Sequence, residues 1–446
     1  MRMLLLHSSI LRLIKQGHIK VLVGNLLASA FGLLNFAILA RLSSKTDFGI
    51  IVLFFSAAGL LDLIRIGLIR QGLVRHYITL KSRERQALLG TGWLLNLTIA
   101  SGLIAVSLFL NAILPYFSIE IEALEVILQH YPLLLASSLI PQFLTWAAQA
   151  RKDYWAMNSF RLFVNVLFLF FLLTQDNLVV KESILLYILS HSIVSVVVLT
   201  IKKCRTDLAR ISRAHLSSLV RFGKHNMSTL TAGNLLKNTD TFLIAFLMNP
   251  EAAAIFAIPA KLTEIVEIPL RGYVMTSFPK LTAYYQSKQL QQYKKHFYKS
   301  VGSLTSISLI IGIGGFYFSE QVMQLLGGGQ YKESFLIVQV ISISILLIPF
   351  DKYLGMSFDS INLPRINAQK VWIMVAVNVA GDLLMIAIGG PLWTIALITS
   401  LNILTGLLYG IAKHPVLRPK SFNQYSTVHL LKYLTKNRNY FAENRN

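Results

Sequence analysis

The chain consists of apolar stretches of about 20 residues that are separated by short basic segments. We count twelve such stretches, at about 19–40, 48–69, 87–110, 126–150, 159–174, 183–201, 225–247, 252–278, 300–318, 333–350, 370–388 and 391–411. A helix of about 20 apolar residues spans a hydrocarbon core of ~30 Å, and lipid admits only helices or closed barrels. The period-two alternation that a barrel needs is absent. The sequence therefore predicts an all-α, polytopic membrane protein with about twelve transmembrane helices.

The basic residues lie almost entirely on one side of the predicted membrane. Of the 42 lysines and arginines, 34 fall in segments on the side of the N-terminus, and four lie in the opposite loops, at Arg41, Lys45, Lys181 and Lys332. Because loops rich in Lys and Arg stay in the cytoplasm, both termini are predicted to be cytoplasmic. The formal net charge of +22 then predicts contact with anionic membrane lipids, and no nucleic-acid partner.

The predicted helices form two halves of six. Gly24-Asn25-Leu26-Leu27 in the first span recurs as Gly233-Asn234-Leu235-Leu236 in the seventh. Because six is an even number, both copies have the same orientation, which is typical of a parallel repeat about the membrane normal. The predicted organisation is an interfacial amphipathic helix at 1–18, a six-helix lobe at 19–201, a basic cytoplasmic linker at 202–224, a second six-helix lobe at 225–411 and a basic cytoplasmic tail at 412–446.

Charged side chains inside the predicted spans concentrate on a few helices. Each costs about 2.5–3.5 kcal/mol at a helix centre on insertion scales, and usually faces a cavity or a partner. Salt bridges inside a lobe would explain single pairs, such as Asp62 with Arg65 and Lys261 with Glu264. The whole set exceeds what packing needs, so we interpret it as a polar cavity between the lobes, whereas Asp382 stands isolated in the eleventh span. The set comprises Arg65, Lys237, Lys261 and Arg271 with Asp62, Asp240, Glu264 and Glu267.

Four short motifs resemble those of a known transporter superfamily. They are Leu42-Ser43-Ser44-Lys45-Thr46-Asp47-Phe48-Gly49 after the first span, Asn238-Thr239-Asp240-Thr241-Phe242-Leu243-Ile244 in the seventh, Phe278-Pro279-Lys280-Leu281 after the eighth, and Leu325-Leu326-Gly327 before the tenth. Their order and spacing are similar to those of polysaccharide exporters and O-antigen-type flippases of the multidrug/oligosaccharidyl-lipid/polysaccharide (MOP) exporter superfamily. The chain departs from that pattern at Ala254, where glycine is usual, and at Arg65, in a commonly neutral stretch.

The resemblance implies two six-helix lobes forming a V, with spans one, two, seven and eight lining a central cleft. It implies alternating-access transport of an undecaprenyl-pyrophosphate-type, lipid-linked oligosaccharide across the bacterial cytoplasmic (inner) membrane, for surface polysaccharide or O-antigen biosynthesis. Polysaccharide polymerases or glycosyltransferases would be partners, and no cofactor is expected. The residues implied in head-group binding are Arg65, Lys237, Lys261, Arg271, Asn25 and Asn234; those implied in coupling to H⁺ or Na⁺ are Asp62, Asp240, Glu264 and Glu267.

Three alternatives compete with this interpretation. A multidrug or cation antiporter of the same superfamily would be expected to have an anionic or neutral cleft, whereas this one holds four basic residues. A lipid II flippase would favour fourteen helices rather than twelve. A membrane enzyme, such as a polymerase or acyltransferase, would need catalytic groups and usually a large outer loop. The outer loops here are at most about 15 residues long, so the sequence favours a transporter over an enzyme.

Overall fold

The computed structural model describes residues 17–117, 121–200 and 211–417, and every regular element in these ranges is a helix. Residues 1–16 of the predicted interfacial segment 1–18 lie outside the described residues, and so does the tail beyond residue 417. The first half contains α1 (Gly17–Leu42), α2 (Lys45–Arg65), a π-helical turn (Ile66–Arg70), α3 (Gln71–Thr79), α4 (Ser82–Ile113), a 3-10 turn (Leu114–Phe117), α5 (Glu122–Ala150), α6 (Tyr154–Leu172) and α7 (Val180–Thr200).

The second half repeats this all-helical plan with two interruptions. It contains α8 (Arg213–Leu247), α9 (Pro250–Gln286), α10 (Leu290–Tyr317), α11 (Ser319–Gly327), a 3-10 turn (Gly329–Ser334), α12 (Phe335–Ser344), α13 (Ile348–Ser360), α14 (Pro364–Ala387) and α15 (Leu392–Lys413). Since α8 begins at Arg213, the later part of the predicted linker 202–224 is helical.

The described helices confirm an all-α, multi-pass membrane fold. Nine helical segments within the described ranges are long and apolar enough to cross a membrane, and α12 with α13, bent by 41°, makes a tenth. The predicted seventh and eighth spans lie in α8 and α9, which are 35 and 37 residues long but carry the charged residues that lower their apolar character. The count of twelve and the side of the termini stay predictions.

The two halves pack their helices in the same pairs. In the first half, α1 packs on α6, α4 on α5, α5 on α7, and α6 on α7. In the second half, α8 packs on α14, α10 on α12, α12 on α15, and α14 on α15. If the spans are numbered from one to six within each half, the same pairs pack in both halves: the first with the fifth, the third with the fourth, the fourth with the sixth and the fifth with the sixth. A shared packing plan is what a duplicated six-helix unit would produce.

The helix α8 contacts both lobes. Its N-terminal part packs against the π-helical turn, α3 and α4 of the first lobe, whereas its C-terminal part packs on α14 and α9. A Cβ atom on Gly223 would lie 2.5 Å from the Cα atom of Leu68, so only glycine permits this close approach. On the same face, His76 Nε2 and Ser218 Oγ are 3.0 Å apart. The helix α8 therefore connects the two lobes, with its contacts to the first lobe on the predicted cytoplasmic side.

On the predicted outer side, a set of contacts that we call the outer latch joins the lobes. The Arg41 guanidinium donates to the carbonyl oxygen of Leu325 at 2.6 Å, near the C-terminus of α11, where the helix dipole favours a cation. Gln330 Nε2 donates to the carbonyl oxygen of Ala40 at 2.6 Å. A Cβ atom on Gly49 would lie 1.8 Å from the carbonyl oxygen of Pro250. The outer latch consists of Arg41, Ala40, Lys45 and Gly49 of the first lobe with Pro250, Glu251, Leu325 and Gln330 of the second.

We expect Gly49→Ala to weaken the outer latch. Alanine normally stabilises a helix relative to glycine by about 1 kcal/mol, but here the added methyl group meets a backbone carbonyl that cannot rotate away. Lys45 and Glu251 form an ion pair of 3.4 Å across the latch, so cysteines at both positions report its closure. In a Cys204→Ser background, Gly49→Ala should reduce thiol cross-linking of these cysteines several-fold.

The matched control is Gly102→Ala in α4, where an added Cβ meets no atom within 4 Å. That variant should cross-link like the parent. Equal cross-linking of the Gly49 and Gly102 variants would show that the close approach at Gly49 does not hold the latch.

Candidate transport cleft

Three lysines of the second lobe, Lys237, Lys261 and Lys352, have partly exposed side chains, and Lys261 lies against α1 of the first lobe. We call the space that these lysines face the central gap. Lys237 lies ten residues before the end of α8, and Lys261 eleven residues after the start of α9, which places both about 15 Å along their helices from the predicted outer ends. Half of the Lys237 side chain is exposed (47%). An ammonium group at this depth must be hydrated or paired, so the gap is a polar space.

A single carboxylate connects two of these lysines. The Oε1 atom of Glu264 lies 2.6 Å from the Nζ atom of Lys237 and 3.2 Å from that of Lys261. The Lys261 ammonium also lies 4.7 Å from the centre of the Phe36 ring in α1 of the opposite lobe. Such a cation–π contact adds modest attraction. Lys237, Lys261 and Glu264 therefore form one cluster that borders the first lobe.

The third lysine of the gap is Lys352, which the sequence analysis assigned to a cytoplasmic segment. Lys352 pairs with Glu267 at 3.0 Å, and its side chain is half-exposed. The tenth predicted span ended at residue 350, whereas α13 continues to Ser360. If the tenth span had been extended past Lys352, the sequence analysis would have counted this lysine among the charged residues within the spans. Arg271 lies in α9, but its side chain is outside the described residues.

The first lobe contributes an aromatic residue, Phe36 of α1, beside the Lys261 ammonium. A Cβ atom built on Gly32 of α1 or Gly59 of α2 would meet no atom within 4 Å. Asn25 Oδ1 accepts a hydrogen bond from Arg161 of α6 at 3.3 Å. Asn234, its counterpart in the repeat, donates to the carbonyl oxygen of Leu230 in its own helix at 2.9 Å. The two asparagines thus have different partners.

Arg65 does not face the gap as the sequence analysis expected. Its side chain is fully buried (0% exposed), and its guanidinium contacts Asp62 at 2.8 Å, Gln142 at 2.9 Å and Asn96 at 3.4 Å. These partners belong to α2, α5 and α4 of the first lobe, and the Trp146 ring lies 5.9 Å away. Arg65 and Asp62 therefore connect helices within one lobe in this structure, which is the salt-bridge alternative for this pair.

A buried polar cluster in the second lobe joins α8 to α14 and α15. Asn378 Nδ2 donates to Asp240 and, at 3.0 Å, to Asp382, while Thr399 Oγ1 donates to Asp240 at 3.0 Å. The Asn378 amide therefore joins the carboxyl groups of Asp240 and Asp382. Asn402 donates to Asn378. We call Asp240, Asn378, Asp382, Thr399 and Asn402 the carboxylate cluster.

Asp382 is therefore paired rather than isolated, contrary to the sequence analysis. Asn378 and Asp382 are four residues apart, a spacing that places them on one helical face and could have indicated the cluster. Two oxygen atoms, Asp382 Oδ1 and Asn402 Oδ1, are buried without a hydrogen-bond partner among the described residues. Two buried carboxyl groups that share one amide donor repel each other when both are charged, unless a cation joins them. This arrangement suits a shared proton or a small monovalent cation.

The structure thus separates the predicted site residues into three places. Lys237, Lys261, Glu264 and Glu267 border the central gap, together with Lys352. Asp62 and Arg65 lie in a first-lobe network, and Asp240 lies in the carboxylate cluster. Among the side chains that the structure describes, the gap holds three lysines against two glutamates and so has an excess of positive charge. In a site of lowered dielectric constant, that excess attracts anions.

A family model described as "Polysaccharide biosynthesis protein" matches residues 38–336. No curated protein is recognisably similar in sequence. Solved structures share the fold at low identity. A multidrug resistance MATE family transporter of the MOP superfamily in an inward-facing conformation has a TM-score of 0.71 at 15% identity, covering 91% of this chain and 99% of that one. The lipid II flippase MurJ, in an inward closed conformation, has a TM-score of 0.72 at 12% identity, covering 94% and 90%.

A third structure is a MOP superfamily transporter from Pyrococcus furiosus, whose binding pocket is described as having reverse polarity that suggests a different function. Its TM-score is 0.60 at 15% identity, and the match covers 90% of this chain and 95% of that one. The family model extends over more than half of the 446 residues. The chain therefore belongs to the polysaccharide biosynthesis protein family, and it shares the multi-pass fold of transporters of the MOP superfamily.

Proposed function

We propose that the protein is a flippase that moves an undecaprenyl-pyrophosphate-type, lipid-linked oligosaccharide across the bacterial cytoplasmic membrane, for surface polysaccharide or O-antigen biosynthesis. The observation that carries this proposal is the set of three partly exposed lysines, Lys237, Lys261 and Lys352, on the second-lobe wall of the central gap. Polysaccharide polymerases or glycosyltransferases would supply or consume the substrate.

The charge of the gap suits the chemistry of such a substrate. A diphosphate carries two or more negative charges and cannot enter hydrocarbon unpaired. Charge-assisted hydrogen bonds from ammonium groups are short and strong, and the lowered dielectric constant between the lobes strengthens them. The isoprenoid tail would stay in the bilayer while the head group passes through the gap. This division of the substrate removes the need for a closed cavity large enough for the whole molecule.

Contacts between the lobes lie on both sides of the gap, so each side could open separately. The outer latch joins the lobes through hydrogen bonds such as that of Arg41 to Leu325, and the N-terminal part of α8 joins them on the other side. In alternating access, the lobes rock around a site near the membrane centre. Breaking the outer latch while α8 stays docked would open the gap outward, and the converse would open it inward.

We further propose that the carboxylate cluster couples transport to H⁺ or Na⁺. Asp240 and Asp382 are buried together with two unpartnered oxygen atoms, which a proton or a monovalent cation would satisfy. Asp240 lies three residues after Lys237 on α8, so an ion bound at the cluster would act on the helix that carries a gap lysine. Asp62, Glu264 and Glu267 are bound to basic residues instead, which disfavours them as ion carriers.

The alternative within the superfamily is a multidrug or cation antiporter. A buried carboxylate pair would serve such an exchanger equally well. The charge of the gap favours the flippase. Lys237, Lys261 and Lys352 outnumber their partners Glu264 and Glu267, so the remaining positive charge would repel a cationic drug. A membrane enzyme is disfavoured, since the gap lysines and glutamates are bound to one another and no pair is arranged around a reacting atom.

We expect Lys237→Gln and Lys261→Gln each to slow transport of a lipid-linked oligosaccharide about tenfold, because each removes one charged contact of roughly 1–2 kcal/mol to the head group. The measurement is the rate of flipping in proteoliposomes that contain the purified, full-length protein. Lys295→Gln, at an exposed surface position of α10, is the control and should behave as the parent. Normal flipping by both gap variants together with lowered drug export would favour the antiporter.

We expect Asp240→Asn and Asp382→Asn to remove the dependence of transport on an ion gradient. Each amide eliminates one ionisable group of the pair while keeping its shape. In proteoliposomes, the parent should respond to an imposed H⁺ or Na⁺ gradient several-fold, and the variants should transport at one rate with or without it. Asp176→Asn, in the exposed turn after α6, is the control. A gradient response that survives in both variants would locate coupling elsewhere.

A further inference from the structure

One oxygen atom of Glu264 accepts from two ammonium groups on different helices. Its Oε1 atom lies 2.6 Å from Lys237 Nζ of α8 and 3.2 Å from Lys261 Nζ of α9. An ordinary bridge on the protein surface, such as Lys332 with Glu320 at 3.3 Å, joins one lysine to one carboxylate. Two lysines that converge on one oxygen atom make the arrangement that a phosphate oxygen would adopt between them.

The lysine–glutamate cluster is also accessible to ligands. Lys237, Lys261 and Glu264 are all partly exposed to the gap, whereas the Arg65 network of the first lobe is closed around its guanidinium. Because these side chains are only partly covered, an anion can reach both lysines and take the place of the carboxylate. Glu264 therefore occupies a replaceable position at an anion-binding pair.

We propose that Glu264 is an internal competitor that occupies the subsite of the substrate diphosphate and selects polyanionic head groups over monoanionic ones. This inference rests on the proposed function. When the gap is empty, Glu264 neutralises one of the two lysine charges and holds α8 to α9. When the substrate enters, a diphosphate oxygen replaces the carboxylate, and on release Glu264 returns to the lysines and opposes rebinding.

The selectivity follows from charge. Glu264 carries one negative charge, and so does a phosphodiester lipid such as phosphatidylglycerol. Exchanging one for the other brings no net electrostatic gain at the two lysines. A diphosphate brings at least one additional negative charge, so its exchange for Glu264 is favourable in a site of low dielectric constant. The gap can therefore reject abundant anionic lipids without a steric barrier, which is selection by an internal repulsive element.

The test compares binding of three probes to the full-length protein and to Glu264→Gln in detergent, by isothermal titration calorimetry. The probes are farnesyl pyrophosphate, inorganic pyrophosphate and dihexanoyl-phosphatidylglycerol. Glu264→Gln should bind the phosphatidylglycerol probe about tenfold more tightly than the parent, since the competing ion pairs are lost. Its preference for farnesyl pyrophosphate over that probe should fall accordingly. Glu320→Gln, which removes a surface ion pair, should match the parent with all three probes.

A double variant tests whether the change in affinity depends on Lys237, and a conservative substitution of Glu264 gives a second reading if Glu264→Gln misfolds. The double variant Lys237→Gln/Glu264→Gln should lose the increase in affinity for the phosphatidylglycerol probe, because one of the two lysines that Glu264→Gln releases is no longer present. Glu264→Asp, whose shorter side chain cannot reach both lysines, should show a smaller gain in the same direction. In flipping assays, Glu264→Gln should lower both KM and kcat, since tighter ground-state binding slows release.

The outcomes separate this inference from the proposed function. Equal or weaker binding of the phosphatidylglycerol probe by Glu264→Gln, while the parent binds farnesyl pyrophosphate, overturns the competitor role and leaves the flippase standing. Absence of farnesyl pyrophosphate binding by the parent and by Glu264→Gln alike overturns both. Equal affinity of the parent protein for farnesyl pyrophosphate and inorganic pyrophosphate would show that the subsite binds the phosphates and makes no contact with the isoprenoid tail.

Discussion

The cost of placing charge in a medium of low dielectric constant determines how this protein is organised. A charged side chain in the hydrocarbon region must be paired, or it must border water. Arg65 is surrounded by Asp62, Gln142 and Asn96, and Lys370 is buried against Asp351 at 2.5 Å. The gap lysines, in contrast, keep partly exposed ammonium groups. Burial therefore separates charges that stabilise a lobe from charges that can meet a substrate.

The two halves share a packing plan but differ in chemistry. The first lobe contains a buried arginine network and places Phe36 beside the Lys261 ammonium. The second lobe contains the carboxylate cluster and carries the charged wall of the gap. A head group would thus be held mainly by one lobe and enclosed by the other. Such asymmetry allows the lobes to move apart without breaking every contact to the substrate.

The helix α8 connects the features on which the proposed mechanism depends. Its N-terminal part packs on the first lobe, Lys237 lies in the gap, and Asp240 lies in the carboxylate cluster. Lys237 and Asp240 are three residues apart and so are separated by less than one helical turn. Ion binding at the cluster and head-group binding at the gap would therefore both bias the position of the same rigid element. This is a direct physical route for coupling within the proposed function.

The sequence by itself determined the all-α membrane class, because apolar stretches of about 20 residues have one stable solution in a bilayer. It also identified α8 and α9 as the charged helices, since charges in such stretches stand out from their neighbours. The placement of Arg65 inside a lobe, the link from Asp382 through Asn378 to Asp240, and the pairing of Lys352 with Glu267 came from the tertiary structure alone. The direction in which each charged side chain points depends on helix rotation and on partners distant in the chain, such as Asn378 for Asp240, which local sequence patterns do not specify.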